Sequence, residues 1–129
     1  MDQPFIEPLV LVVEDDADAR DMYEVVLGGA GFRVECAENG VEAISKARAL
    51  QPRLILMDLS LPTMNGRQAG RQLKEEPATR HIPIVVLSGT PIETGHGEDQ
   101  EVFAAALMKP CFPDDLVAAV RRLVGAHHT

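Results

Sequence analysis

Leu54-Ile55-Leu56-Met57-Asp58-Leu59-Ser60-Leu61-Pro62-Thr63-Met64-Asn65-Gly66 is the stretch that decides the fold. Four apolar residues run straight into a carboxylate, with Pro62 and Gly66 close behind. An apolar run this short, bounded by turn formers, reads as a strand buried on both faces. Asp58 then stands at the strand's C-terminal end, where open α/β sheets place their ligand crevice. A lone Asp in that position is also a common helix cap, so its meaning depends on what else converges there.

Upstream, Leu9 to Val13 is a second continuous apolar run, ending in Glu14-Asp15-Asp16. A helix follows, with Ala19, Met22, Tyr23 and Val26 on one stripe, stopped by Gly28, Gly29 and Gly31. Phe32 to Ala37 alternates like a strand, and a helix from Gly40 to about Leu50 buries Ala43, Ile44 and Ala47, with Pro52 beyond its end. Downstream, a third helix runs from Gly66 to Lys74. Pro83 introduces the strand Ile84 to Ser88, and residues 89–100 form a loop rich in turn residues and charge. A short helix over Asp99 to Ala105, a strand Ala106 to Met108 and a last helix from Pro113 to Gly125 complete the chain.

Five strands alternating with five helices imply an α/β fold with a parallel sheet covered on both faces. The expected doubly wound order is 2-1-3-4-5. Strands one and three are then neighbours, so Glu14, Asp15 and Asp58 converge, with Ser88 and Lys109 on the same rim. Cys36 and Cys111 fall towards opposite edges, which argues against a bridge between them.

The 129 residues with 46% hydrophobic content fit one domain, with a core over about residues 8–125. A net charge of -8 argues against a nucleic-acid surface. No apolar run is long enough for a membrane span, so a soluble cytoplasmic protein is expected. Two cysteines are too few for a disulfide framework or a zinc site.

Three carboxylates in one crevice repel one another, and a hard divalent cation removes that cost. Mg²⁺ suits a few carboxylates plus water and phosphate oxygen. Asp15 and Asp58 are the expected direct ligands, Glu14 a direct or water-mediated one, and the Met64 backbone carbonyl a further candidate. A metal-bound carboxylate can accept a phosphoryl group, with Lys109 and the Ser88 hydroxyl meeting the charge on the transferring oxygens.

VVEDD (Val12 to Asp16), LILMDLSLPTMNG (Leu54 to Gly66), IPIVVLSG (Ile82 to Gly89) and LMKP (Leu107 to Pro110) together resemble the receiver domain of two-component response regulators. The resemblance spans essentially the whole chain in order and spacing. It implies Asp58 as phosphoacceptor, Glu14 and Asp15 as the Mg²⁺-holding acidic pair, and Lys109 as the phosphoryl-contacting lysine before a cis Pro110. Ser88 matches the switch hydroxyl and Gly89 the small residue beside it. Ser60 and Thr90 match positions that tune how long the phosphoryl group is retained. The phosphodonor implied is a sensor histidine kinase or a histidine phosphotransfer protein. The output surface implied is the face formed by the fourth helix, the fifth strand and the last helix.

This sequence departs from that pattern at Ala106, where receivers usually carry Tyr or Phe; Phe103 is a candidate substitute. The loop after Ser88 is unusually rich in Gly and Pro, and Cys111-Phe112 follows Lys-Pro where one apolar residue is usual. The expectation is a stand-alone receiver without an output domain, which either switches a partner-binding surface or relays the phosphoryl group to a histidine on another protein, and is not an enzyme beyond its own phosphorylation and dephosphorylation. The competing reading is a receiver-like module that binds proteins independently of phosphorylation. An Asp-nucleophile phosphatase would want an acid where Ser60 stands, and a flavin site would not tolerate three acids after strand one.

Overall fold

The computed structural model describes residues 7–61, 64–89 and 102–126. Five strands are present: β1 (Leu9–Val13), β2 (Arg33–Ala37), β3 (Leu54–Asp58), β4 (Ile84–Ser88) and β5 (Ala105–Met108). They form one parallel sheet in the order β2-β1-β3-β4-β5. Every residue of β1, β3 and β4 is buried, whereas the edge strands β2 and β5 are partly exposed. That difference is why the three central strands are continuous apolar runs.

Helices α1 (Ala17–Gly29), α2 (Gly40–Leu50), α3 (Gly66–Glu75) and α4 (Pro113–Ala126) cover the two faces. Alternate strand residues divide between two cores. Leu11, Val13, Ile55 and Met57 pack with residues of α2 and α3, while Val10, Val12, Leu54 and Leu56 pack with residues of α1 and α4. Each of the first three helices starts on a side-chain cap. The Ala19 N–H donates to Asp16 at 2.8 Å, and the Glu42 N–H to Asn39 at 2.8 Å. Asn65 and Gln68 form a reciprocal capping box with bonds of 2.9 and 3.1 Å.

Four expectations change. The described residues contain four helices where five were expected, and the missing one falls partly on residues outside them. Ala105, expected to end that helix, is the first residue of β5, paired with Val85 of β4. Met22 is not part of the buried stripe of α1. Tyr23 and Leu27 are its buried residues, and Met22 faces solvent at 42% exposure. The helix also continues through Gly28 and Gly29, and the chain turns only at Gly31, whose φ is +99°.

The two kinds of glycine lead to opposite expectations. A Cβ at Gly28 would meet nothing within 4 Å, so Gly28→Ala should stabilise the fold by about 0.5–1 kcal/mol through helix propensity. Gly31→Ala places a side chain at positive φ and should destabilise by a similar or larger amount. Urea midpoints of the two variants against wild type check both signs.

Candidate functional site: an acidic cleft with one lysine

Parallel pairing aligns the C-terminal ends of the central strands. Val13 is in register with Met57, Asp58 with Leu87, and Ser88 with Met108. The residues that follow β1 and β5 therefore stand beside Asp58. Asp58 and Glu14 are buried, at 4% and 3% exposure, whereas Asp15 is exposed. Glu14, Asp15 and Asp58 each present a carboxylate oxygen within 4.8 Å of the others.

Each member is held by neighbours. The Ser60 N–H donates to Asp58 Oδ1 at 3.0 Å, and Lys109 Nζ donates to Asp58 Oδ2 at 2.9 Å. The same ammonium lies 3.7 Å from Glu14 Oε1. The backbone of Lys109 is tied in as well, its N–H donating to the Ser88 carbonyl at 2.8 Å. Its peptide bond to Pro110 is cis, as expected. The Glu14 backbone is clamped on both sides: its N–H donates to the Ala37 carbonyl at 2.9 Å, and its carbonyl accepts from Arg20 Nη1 at 2.8 Å.

The electrostatics follow from this crowding. Burial pushes the Glu14 carboxyl up to about 7. The Asp16 N–H and Lys109 oppose that rise, and Asp58 and Asp15 add to it. Burial alone would lower the Lys109 ammonium, but the bond to Asp58 and the charges of Asp58 and Glu14 outweigh it and raise the value.

The raised Glu14 value sets a sign. Below the ordinary carboxylate range Glu14 is protonated both folded and unfolded, so its contribution to stability is fully present. That contribution is lost as pH rises through about 7. The metal-free protein should therefore lose thermal stability between about pH 5 and 8, and Glu14→Gln should flatten the loss. Mg²⁺ held by these carboxylates would need Glu14 ionised, so any stabilising effect should be larger at about pH 8 than at pH 5. Thermal melts at the two pH values, with and without Mg²⁺, test both statements.

Ser88 ends β4, buried at 5% exposure, and Gly89 follows it exposed, with nothing within 4 Å of a Cβ position. Ser60 is exposed two residues after Asp58. Ala106 is half-buried in β5 opposite Val86. Phe103 is buried, its ring 3.1 Å from where a Cβ on Gly70 of α3 would stand. The Met64 carbonyl lies against Gly40 at the start of α2, 3.0 Å from a Cβ position there. Thr90 lies outside the described residues.

Two supports were not anticipated from the sequence. Arg20 carries no local signal, because its partner is a backbone carbonyl six residues away. In the sequence Gly66 marks a turn and the start of the third helix, with no sign of what it packs against. A Cβ there would stand 2.7 Å from the Asp58 carbonyl oxygen and 2.8 Å from the Leu59 Cα. The absence of a side chain lets α3 start directly against the turn that follows Asp58.

Comparison with known proteins agrees with this architecture. Residues 10–121 match the response regulator receiver domain, and the chain belongs to that family. It is similar to the DNA-binding response regulator MtrA of Mycolicibacterium paratuberculosis, with 36% identity covering 87% of this chain and 49% of that protein. It thus spans about half the length of the curated relatives it matches. The chemotaxis response regulator CheY4 of Vibrio cholerae is similar in structure, with a TM-score of 0.80 and 29% identity over 92% of this chain and 99% of the other. The receiver domain of the sensor histidine kinase PA1611 of Pseudomonas aeruginosa, solved with magnesium in its active-site cleft, gives a TM-score of 0.83. The identity there is 26%, over 93% of this chain and 99% of that one. Among the described residues, no helix is long and apolar enough to cross a membrane.

Proposed function

We propose that Asp58 accepts a phosphoryl group from a sensor histidine kinase or a histidine phosphotransfer protein, in the presence of Mg²⁺. The observation that carries the reading is the close approach of the Glu14, Asp15 and Asp58 carboxylates, with the Lys109 ammonium bonded to Asp58. Crowded like charges fit a divalent cation, and this all-oxygen donor set suits a hard one. Glu14, Asp15 and Asp58 would hold it. Bound there, Mg²⁺ supplies positive charge against the oxygens of the transferring group.

The chain's own residues do the rest. An oxygen of Asp58 attacks phosphorus, and the bond to the donor breaks with its electron pair leaving on the donor. The Ser60 N–H and Lys109 hold the Asp58 carboxylate in place. Lys109 and the Ser88 hydroxyl then meet the oxygens of the arriving group. Once Asp58 is phosphorylated, Lys109 loses one carboxylate charge and gains the phosphoryl oxygens as partners. That exchange favours a conformer in which Ser88 and the residue after it move inward. The output is a change in affinity for a protein partner at the face carrying β5 and α4. Chemistry is confined to the chain's own phosphorylation and dephosphorylation, with Ser60 and Thr90 setting access for hydrolytic water.

The test is a time course of intact mass with a small phosphodonor such as acetyl phosphate. One added phosphoryl group with Mg²⁺, and none when the metal is chelated, is the expected result. No gain in either arm overturns the reading. It would favour protein binding independent of phosphorylation, the reading for which Ala106 and the core-anchored Phe103 speak.

A further inference from the structure

The N-terminal edge of the sheet, opposite the carboxylate cleft, holds a second concavity. A pocket of about 300 Å³ opens between the approaches to β3 and β4, lined by Gln51, Pro52, Arg53, His81, Ile82 and Pro83. That volume is at the lower end of the range for small-molecule sites. Arg53 and Asp58 are five residues of extended chain apart, about 17 Å, so the pocket is separate from the cleft. Its lining is of two kinds. Pro52, Ile82 and Pro83 are buried and apolar, whereas Arg53 and His81 are exposed.

Both walls are fixed by side chains. Gln51 ends α2 in the left-handed region, at φ +50°, where glycine or asparagine is the usual choice. Its longer side chain spans a gap that theirs would not. The Nε2 donors are shared among the Ala47, Arg48 and Ala78 carbonyls, at 3.2, 3.3 and 3.0 Å. They tie the end of α2 to the turn that precedes β4. On the other side, Lys74 Nζ donates to the Arg80 and Ile82 carbonyls at 3.1 and 2.6 Å. The buried Thr79 hydroxyl donates to the Leu73 carbonyl at 2.7 Å. A pocket whose walls are held beforehand loses little order on binding.

The charges select the ligand. The chain carries -8 overall, yet a guanidinium and an imidazole stand together here. Glu76, in the turn between α3 and β4, is already paired with Arg48 at 2.8 Å. A guanidinium has five N–H groups, so Arg53 can serve a ligand as well as its own chain, and an imidazole donates an N–H in either protonation state. A planar carboxylate matches the guanidinium fork, and the buried residues beside it favour an apolar body. We propose that this pocket binds a small carboxylic acid, its carboxylate held by Arg53 and His81 and its apolar body covered by Pro52, Ile82 and Pro83. The proposal is independent of phosphoryl acceptance at Asp58.

Benzoate is the probe. Titrated into the isotope-labelled full chain, it should shift the amide resonances of Gln51, Arg53, His81 and Ile82 in a saturable manner, with a Kd of about 1 mM. Those of Glu14 and Asp58 should stay in place. Benzyl alcohol keeps the ring without the charge, and acetate keeps the charge without the ring. Each should bind about tenfold more weakly. Arg53→Ala should weaken benzoate binding about tenfold, and Arg53→Lys by less, because an ammonium keeps the charge without the fork. Gln51→Gly suits the left-handed backbone and keeps the fold, but releases the wall and should weaken binding about threefold. Melting temperatures confirm that each variant is folded. No saturable shift up to about 20 mM benzoate, some twentyfold above that Kd, overturns the proposal. Shifts centred on other residues, acetate binding as tightly as benzoate, or undiminished binding by Arg53→Ala overturn it equally.

Discussion

Lys109→Met should slow phosphoryl incorporation from a small donor by about 10²–10³-fold, the usual loss when one donor to a developing negative charge is removed. The side chain nearly keeps its length and loses its charge. In wild type the ammonium is 2.9 Å from Asp58 and 3.7 Å from Glu14, the one cation inside a group of three carboxylates among the described residues. A divalent cation held by these carboxylates would compete with it for the same charge. Removing the ammonium should therefore tighten Mg²⁺ binding while slowing the chemistry. The metal-free variant should also be less stable than wild type, because Asp58 and Glu14 lose their counter-charge. Mg²⁺ should recover much of that stability. Single-turnover mass kinetics and a Mg²⁺ titration followed by melting temperature measure both effects. Weaker Mg²⁺ binding in the variant would mean that Lys109 organises the cleft instead of competing within it.

Gly66→Ala should destabilise the protein by about 1–3 kcal/mol, the range for forcing a methyl group into filled space. The new Cβ would stand 2.7 Å from the Asp58 carbonyl oxygen, 2.8 Å from the Leu59 Cα and 3.2 Å from the Leu59 carbonyl oxygen. All three are backbone atoms, so no side-chain rotation relieves the contact. The Gly66 N–H also donates to the Leu59 carbonyl at 2.9 Å, which ties the start of α3 to the same turn. Displacing that turn moves the Asp58 carboxylate and its Ser60 N–H partner together. Mg²⁺ affinity should fall by about 10–100-fold, as when the support of a metal ligand is lost. Gly89→Ala is the matched control, because nothing lies within 4 Å of its Cβ position. Unfolding midpoints and Mg²⁺ titrations of both variants separate a local push on the cleft from a general intolerance of side chains at its rim.

Sequence and structure coincide where a local pattern has only one physical solution. The expected spans Leu9 to Val13 and Ile84 to Ser88 are β1 and β4 to the residue, and β3 ends at Asp58. A strand covered on both faces must be apolar throughout, and the polar residue that ends the run marks the rim. Pro113 opens α4 for an equally local reason. At β5 the pattern is ambiguous. Phe103 is in the core, Ala104 is exposed and the strand itself is only half-buried, so neither a clean apolar run nor an alternation marks it. Three consecutive alanines, Ala104 to Ala106, suit a helix as well as an edge strand, and pairing with β4 decides between them.

The cleft was legible as a set of residues and less so as a geometry. Glu14, Asp15 and Asp58 meet as the strand order requires. The inequality between Glu14 and Asp15, one buried and one exposed, follows from the alternation of neighbouring side chains at a strand end. The grip of Arg20 on the Glu14 carbonyl and the fit of Gly66 against Asp58 depend on how helices dock, which no local pattern encodes.

The most direct test of phosphoryl acceptance compares wild type with Asp58→Asn, by intact mass after equal exposure to acetyl phosphate and Mg²⁺. The amide preserves the shape of the side chain and removes its nucleophilic charge. One phosphoryl group on wild type and none on Asp58→Asn is the predicted result. Equal incorporation in both proteins would place the phosphoryl group on another residue and contradict the account.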